Sequence, residues 1–159
     1  MKIKLVLISA VVGLFSGCVT HQAERIVTKG PLICAPQEVC PELAMRWNNE
    51  ERNGFKITAE INNAEQYDIK QLVFLVDGQP YTYSTIQPTK YKDISGLKNS
   101  TNFIKVPVSF LNSFRDAKQI DLKLVTDKGN IERAILKENG EKSSAYLTFL
   151  KGYTGQIPQ

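Results

Sequence analysis

Residues 5–15 carry no charge, follow lysines at positions 2 and 4, and stop at Ser16-Gly17-Cys18. A run of this length is too short to cross a bilayer as a helix, which takes roughly 20 residues, so it reads as an export signal and not a permanent span. Small side chains at Ser16 and Gly17 fit a narrow peptidase groove, and Cys18 puts a thiol immediately after them. Whatever folds is therefore expected downstream, in an oxidising compartment where cysteines pair.

The stretch Leu14-Phe15-Ser16-Gly17-Cys18 resembles a bacterial lipobox, with Phe15 where that family most often has Leu. The resemblance implies transfer of a diacylglyceryl group to the Cys18 thiol, cleavage after Gly17 and acylation of the new amino terminus. Residues 1–17 are then a lipoprotein signal peptide, and the acyl chains, palmitate among them, hold the chain at about 0.8 kcal/mol per buried methylene. Val19 stands where an Asp favours inner-membrane retention in lipoproteins of the enteric type. By the same resemblance the address is the outer membrane, facing either the periplasm or the cell surface.

Residues 18–30 are polar around a weak Ile26-Val27 pair and read as a lipidated flexible tether. About 12 extended residues reach some 40 Å, enough to clear the lipid headgroups. The one histidine of the chain, His21, falls in this segment, which removes most histidine-based chemistry. Without the signal, 142 of 159 residues remain, and taking Lys2 and Lys4 from the 20 basic side chains leaves 18 against 16 acidic. Such a near-neutral balance lacks the clustered Lys and Arg of a nucleic-acid footprint. One β-rich domain over residues 31–159 is the economical expectation for this length.

Cys34 and Cys40 are the two cysteines left, and in an exported chain a disulfide is the natural reading. Five intervening residues do not match the two of a redox motif, and no second Cys or His pair remains to complete a zinc shell. No metal and no cofactor is expected.

The body alternates with a period of two. Leu43, Met45 and Trp47, then Phe55, Ile57, Ala59 and Ile61, predict a hairpin, with Trp47 at the core or its rim and a short helix from Pro41 as the competing reading of the first run. Residues 69–76 form the most apolar strand and should be central and buried on both faces. Asp77-Gly78 turns the chain into Tyr81 and Tyr83. Residues 87–101 read as a long polar loop, a kind of segment that is often functional. Phe103, Ile104, Val106 and Val108 predict a strand at which Pro107 marks an edge or an end, and Ser109 resembles the N-cap of a short helix carrying Phe110, Leu111 and Phe114. Ile120 to Thr126 and Ile131 to Leu136 suggest another hairpin around Asp127-Lys128-Gly129-Asn130, and Ser143 or Ser144 caps a terminal helix. About seven strands and two helices give a mainly β fold, an antiparallel sandwich or a curved sheet covered by helices. This order of segments resembles small proteobacterial lipoproteins, a likeness that carries no known active residues onto the chain.

A nucleophile and base are hard to assemble here. No Gly-x-Ser-x-Gly elbow occurs, and Asp68, Asp77, Asp93, Asp121 and Asp127 all fall at predicted strand ends, turns or solvent faces. Binding is the better expectation, because Tyr81, Tyr83 and Tyr91 gather with Lys90 and Lys92 around the long loop, a mixture suited to protein or glycan contact. The alternative for the first two tyrosines is that they line one face of a strand. The expected function is therefore a non-catalytic, lipid-anchored envelope protein that binds another envelope protein as an accessory or assembly factor. The other readings are a surface-exposed structural antigen and a hydrolase whose site the sequence does not reveal.

Overall fold

The computed structural model describes residues 25–47 and 54–154. The expectations for Cys18, His21 and the 49–53 turn lie outside the described residues, as do the side chains of Trp47 and Tyr153. Among the described residues nine strands and two helices follow in the order β1 (Arg25–Pro31), β2 (Glu42–Trp47), β3 (Gly54–Asn63), β4 (Ile69–Val76), β5 (Gln79–Ser84), β6 (Lys90–Ile94), β7 (Leu97–Pro107), α1 (Val108–Asp116), β8 (Ile120–Thr126), β9 (Gly129–Leu136) and α2 (Ser144–Thr154).

The strands make two antiparallel sheets, one ordered β1-β2-β3-β7-β6 and the other β5-β4-β8-β9, in a sandwich-like arrangement that is not a closed barrel. The mainly β expectation with one internal and one C-terminal helix holds. Period-two alternation explains the packing: Leu43, Met45, Ile57, Ala59, Ile61, Ile104 and Val106 from the first sheet meet Leu72, Phe74, Val76, Leu122 and Leu124 from the second in one apolar cluster. Asp77-Gly78 and Ser95-Gly96 both have positive φ at their two central residues, the type I′ geometry whose twist matches a tight hairpin.

Several expectations are corrected. Arg25 to Gly30, read as part of a tether, belong to β1, because Lys29, Gly30 and Pro31 pair with Ala44, Leu43 and Glu42. The supposed loop at 87–101 is mostly the β6–β7 hairpin, whose Lys, Tyr, Asn and Ser content hid the strands. The reading of Pro107 as a strand's edge or end holds, since β7 ends there and its residues 102–107 pair with β3 alone, β6 reaching only to Thr101. Val108 opens α1 and Pro107 is its N-cap, so Ser109 is not, and no side chain caps that end. Pro107 suits the junction because its fixed φ ends the strand and it has no N–H to leave unpaired. β4 is interior as expected, but on its outer face Val73 is buried while Leu75 and Gln71 are half-buried.

Local polar contacts finish the frame. Ser143 Oγ accepts the Tyr146 N–H at 3.1 Å and caps α2, and the Asp77 carboxylate accepts the N–H groups of Lys118 and Gln119, both at 2.9 Å, where the chain leaves α1. Cys34 and Cys40 form the expected disulfide with Cα atoms 5.8 Å apart, and Arg133 ties the enclosed loop to β9 by donating to the Val39 carbonyl at 3.1 Å. α2 lies directly on β1. A Cβ at Gly30 would stand 2.9 Å from both the Ala145 nitrogen and the Ser144 Cβ, so this strand needs glycine where the helix crosses it.

Two stability predictions follow from these contacts. Gly30→Val should push α2 off β1 and cost about 1–3 kcal/mol, read as a lower thermal midpoint than wild type, whereas the exposed Gly140→Asn should change it far less. The double variant Cys34→Ser/Cys40→Ser should lose about 2 kcal/mol in denaturant unfolding, with the reductant-treated wild type losing the same amount and the double variant indifferent to reductant.

Candidate functional site

The residues singled out for binding divide into two groups. Tyr81 and Tyr83 face inward from β5, with ring centroids 5.3 and 5.5 Å from Phe110 of α1, and Tyr83 lies 6.5 Å from Phe74. Both are half-buried packing residues, and burial, followed by the neighbouring Tyr81, holds the Tyr83 hydroxyl above its ordinary pKa. Lys90, Tyr91 and Lys92 stand on β6, an edge strand of the other sheet, and all five residues of that strand are exposed.

Register separates the two faces of the hairpin. Lys90 lies opposite Thr101, Lys92 opposite Asn99 and Ile94 opposite Leu97, while Tyr91 lies opposite Ser100 and Asp93 opposite Lys98. Strand alternation therefore puts Tyr91 and Asp93 on the side of fully buried Ser100, toward the second sheet, and Lys90, Lys92, Ile94 and Leu97 together on the outer side. Ile94 and Leu97 are 49% and 44% exposed, a pair of apolar side chains at the hairpin tip.

A buried polar seam fixes the base of this hairpin to the second sheet. Asn102, buried in β7, donates from Nδ2 to the carbonyls of Ile69 at 2.9 Å and Gln87 at 3.0 Å, and its Oδ1 accepts the Phe103 N–H at 2.8 Å. Thr89 accepts the Ile69 N–H at 2.9 Å and donates to Asp68 at 2.8 Å, and Ser100 accepts the Tyr67 N–H at 3.0 Å. The Asp68 N–H donates to the Asp127 carboxylate at 2.7 Å, and the Asp127 N–H returns to the Asp68 carbonyl at 3.2 Å. These bonds satisfy groups that would otherwise cost about 1–3 kcal/mol each when buried. Asp68 and Asp127, read from the sequence as solvated acids, are thus part of the joint.

Tyr91 reaches toward that joint. Burial first, then the negative fields of Asp68 and Asp127, raise its pKa above the ordinary phenol value, against the opposing effect of a hydrogen bond with Thr89. Beside it Lys128 pairs with Glu65 and lies over the Tyr67 ring, 5.6 Å from its centroid. Asn102 was not legible as a site residue, because an Asn in a strand pattern signals weak strand propensity and not a brace.

Elsewhere the described residues offer an apolar void of about 10 Å³ under α2, lined by Met45, Phe74, Phe114 and Phe149 among others, near the lower limit for one water. Among the described residues no group of three or more His, Cys, Asp or Glu is placed to hold a metal ion, and no helix is long and apolar enough to cross a membrane. Comparison with known proteins returns no matching family, no matching curated protein and no matching solved structure.

The double variant Asp68→Asn/Asp127→Asn keeps the acceptor oxygens and removes both charges, so the Tyr91 pKa should fall toward the ordinary phenol value. Titration of the assigned Tyr91 ring resonances by NMR reads the shift, and an unchanged value shows that the ring is outside their field.

Proposed function

We propose that this chain is a lipid-anchored protein of the cell envelope, held in the outer membrane through Cys18, which acts without catalysis by binding another envelope protein as an accessory or assembly factor. The anchor rests on the lipobox resemblance and its uncharged run. The observation that carries the binding reading is the β6–β7 hairpin. Its base is braced by buried side chains, yet every residue of β6 is exposed, and Ile94 and Leu97 are displayed together beside two exposed lysines. A hairpin braced at its base and bare along its edge is preorganised for contact, so little ordering cost falls on association. Tyr81 and Tyr83 are left out of the surface, since removing either would cost packing against α1 before it affected a partner.

Cys18→Ala should abolish labelling by a palmitate analogue and move the chain out of the membrane fraction. A photo-crosslinking residue at Ile94 or Leu97, introduced into the full chain in its native membrane, should give a discrete adduct that the same residue at Glu132 on β9 does not. Absence of any adduct from the hairpin positions defeats the binding reading, and retention of label without Cys18 defeats the anchor.

A further inference from the structure

The outer edge of β6 points to a particular kind of partner. No described residue pairs with that edge, since β6 bonds only to β7 and ends the order β1-β2-β3-β7-β6. An open edge is a row of unused backbone donors and acceptors, ready to take another extended segment. Lys90 and Lys92 are exposed, stand on one face two residues apart, and have no ion-pair partner among the described residues; the neighbouring Asp93 is already paired with Lys98.

A second copy of the chain fits this edge badly. Antiparallel pairing of β6 with itself about a two-fold axis must set residues of the same face opposite one another, so each register is centred on one residue facing its own copy. Centred on Tyr91, Lys90 faces Lys92 twice; centred on Lys90, Lys92 or Asp93, a charged side chain faces its own copy; centred on Ile94, only that end residue of the strand meets its copy. Like charges directly opposed across strands are destabilising. The edge is therefore built against its own kind and suits a strand of opposite charge.

Building on the binding reading above, we infer that β6 receives an extended acidic segment of a partner protein as an added strand. Carboxylates at alternate positions of that segment lie opposite Lys90 and Lys92, and the apolar residues between them lie on the side of Tyr91. Backbone hydrogen bonds supply the attachment and the two lysines supply selectivity and direction. Screening of exposed charges makes the interaction weaken as salt rises.

The probe is a capped heptapeptide of alternating Glu and Val, titrated into the full chain in detergent at low salt, with hydrogen exchange followed by mass spectrometry. Strand addition predicts slowed exchange in the segment spanning residues 90–97, at least 10-fold weaker binding to the double variant Lys90→Glu/Lys92→Glu, and a reversed preference in that variant for a peptide of alternating Lys and Val. Circular dichroism of the variant checks that it is folded, as expected for two exposed positions. No binding of the Glu-containing peptide, equal binding of both peptides, or protection elsewhere on the chain overturns strand addition and leaves the lysines as guards of the edge. Protection of β6 that rises with protein concentration without peptide would overturn it in favour of self-association. The two readings separate cleanly: an Ile94 adduct in the native membrane that survives the charge reversal keeps the binding reading and removes the acidic strand, its loss only on charge reversal supports both, and absence of any hairpin adduct in the otherwise unaltered chain removes the binding reading itself.

Discussion

Among the described residues no strand of one sheet pairs with a strand of the other, so their union depends on side chains. It rests on the apolar cluster packed between them, and on a run of aromatic contacts that leads from the second sheet through α1 to α2, which lies on β1 of the first. Phe110 of α1 lies 5.2 Å from Phe74, 5.3 Å from Tyr81 and 5.5 Å from Tyr83, and is followed by Phe114 at 5.4 Å. Phe114 continues to Phe149 at 5.5 Å and Tyr146 at 6.1 Å on α2. The run thus reaches from an edge strand, through the internal helix, to the C-terminal helix. Each such contact adds about 0.5–1.5 kcal/mol beyond the area it buries, which explains why α1 needs no side-chain cap at its start. Tyr146 ends this run with its hydroxyl donating to the Phe114 carbonyl at 3.1 Å, a buried bond that places α2 against α1.

At the other end of the sandwich the joint is polar. Asn102, Thr89 and Ser100 do there what the phenylalanines do elsewhere, but through directed bonds to the backbone around Ile69 and Tyr67. The consequence is a difference in character between the two ends of the fold. Aromatic packing tolerates small adjustments of helix position, whereas a set of fully satisfied buried hydrogen bonds permits one geometry. β6 grows from the polar end, and its exposed edge inherits that rigidity.

Much of this was readable before any coordinates. The alternation of Leu43, Met45, Ile57, Ala59 and Ile61 required a strand pair with one buried side, and Asp77-Gly78 required the turn between β4 and β5. The pairing of Cys34 with Cys40 followed from the expected export and the count. The candidate surface was only half legible. Lys90, Tyr91 and Lys92 were singled out, but Tyr81 and Tyr83 were grouped with them because they are near in sequence, while the turn through residues 85–89 carries the chain from one sheet to the other.

What sequence alone determined was local: which residues alternate, where the chain must turn, and which two cysteines could bond. These depend on neighbours a few positions away, within reach of backbone sterics and the two-residue repeat of a strand. Tertiary structure decided the partition of strands between sheets, the demand for glycine at position 30 beneath a helix more than 100 residues later, and the use of Asn102 as a brace. It also turned a polar stretch that reads as loop into a strand, because β7 pairs with every residue from Lys90 through Ile94, which compensates for side chains that stay exposed.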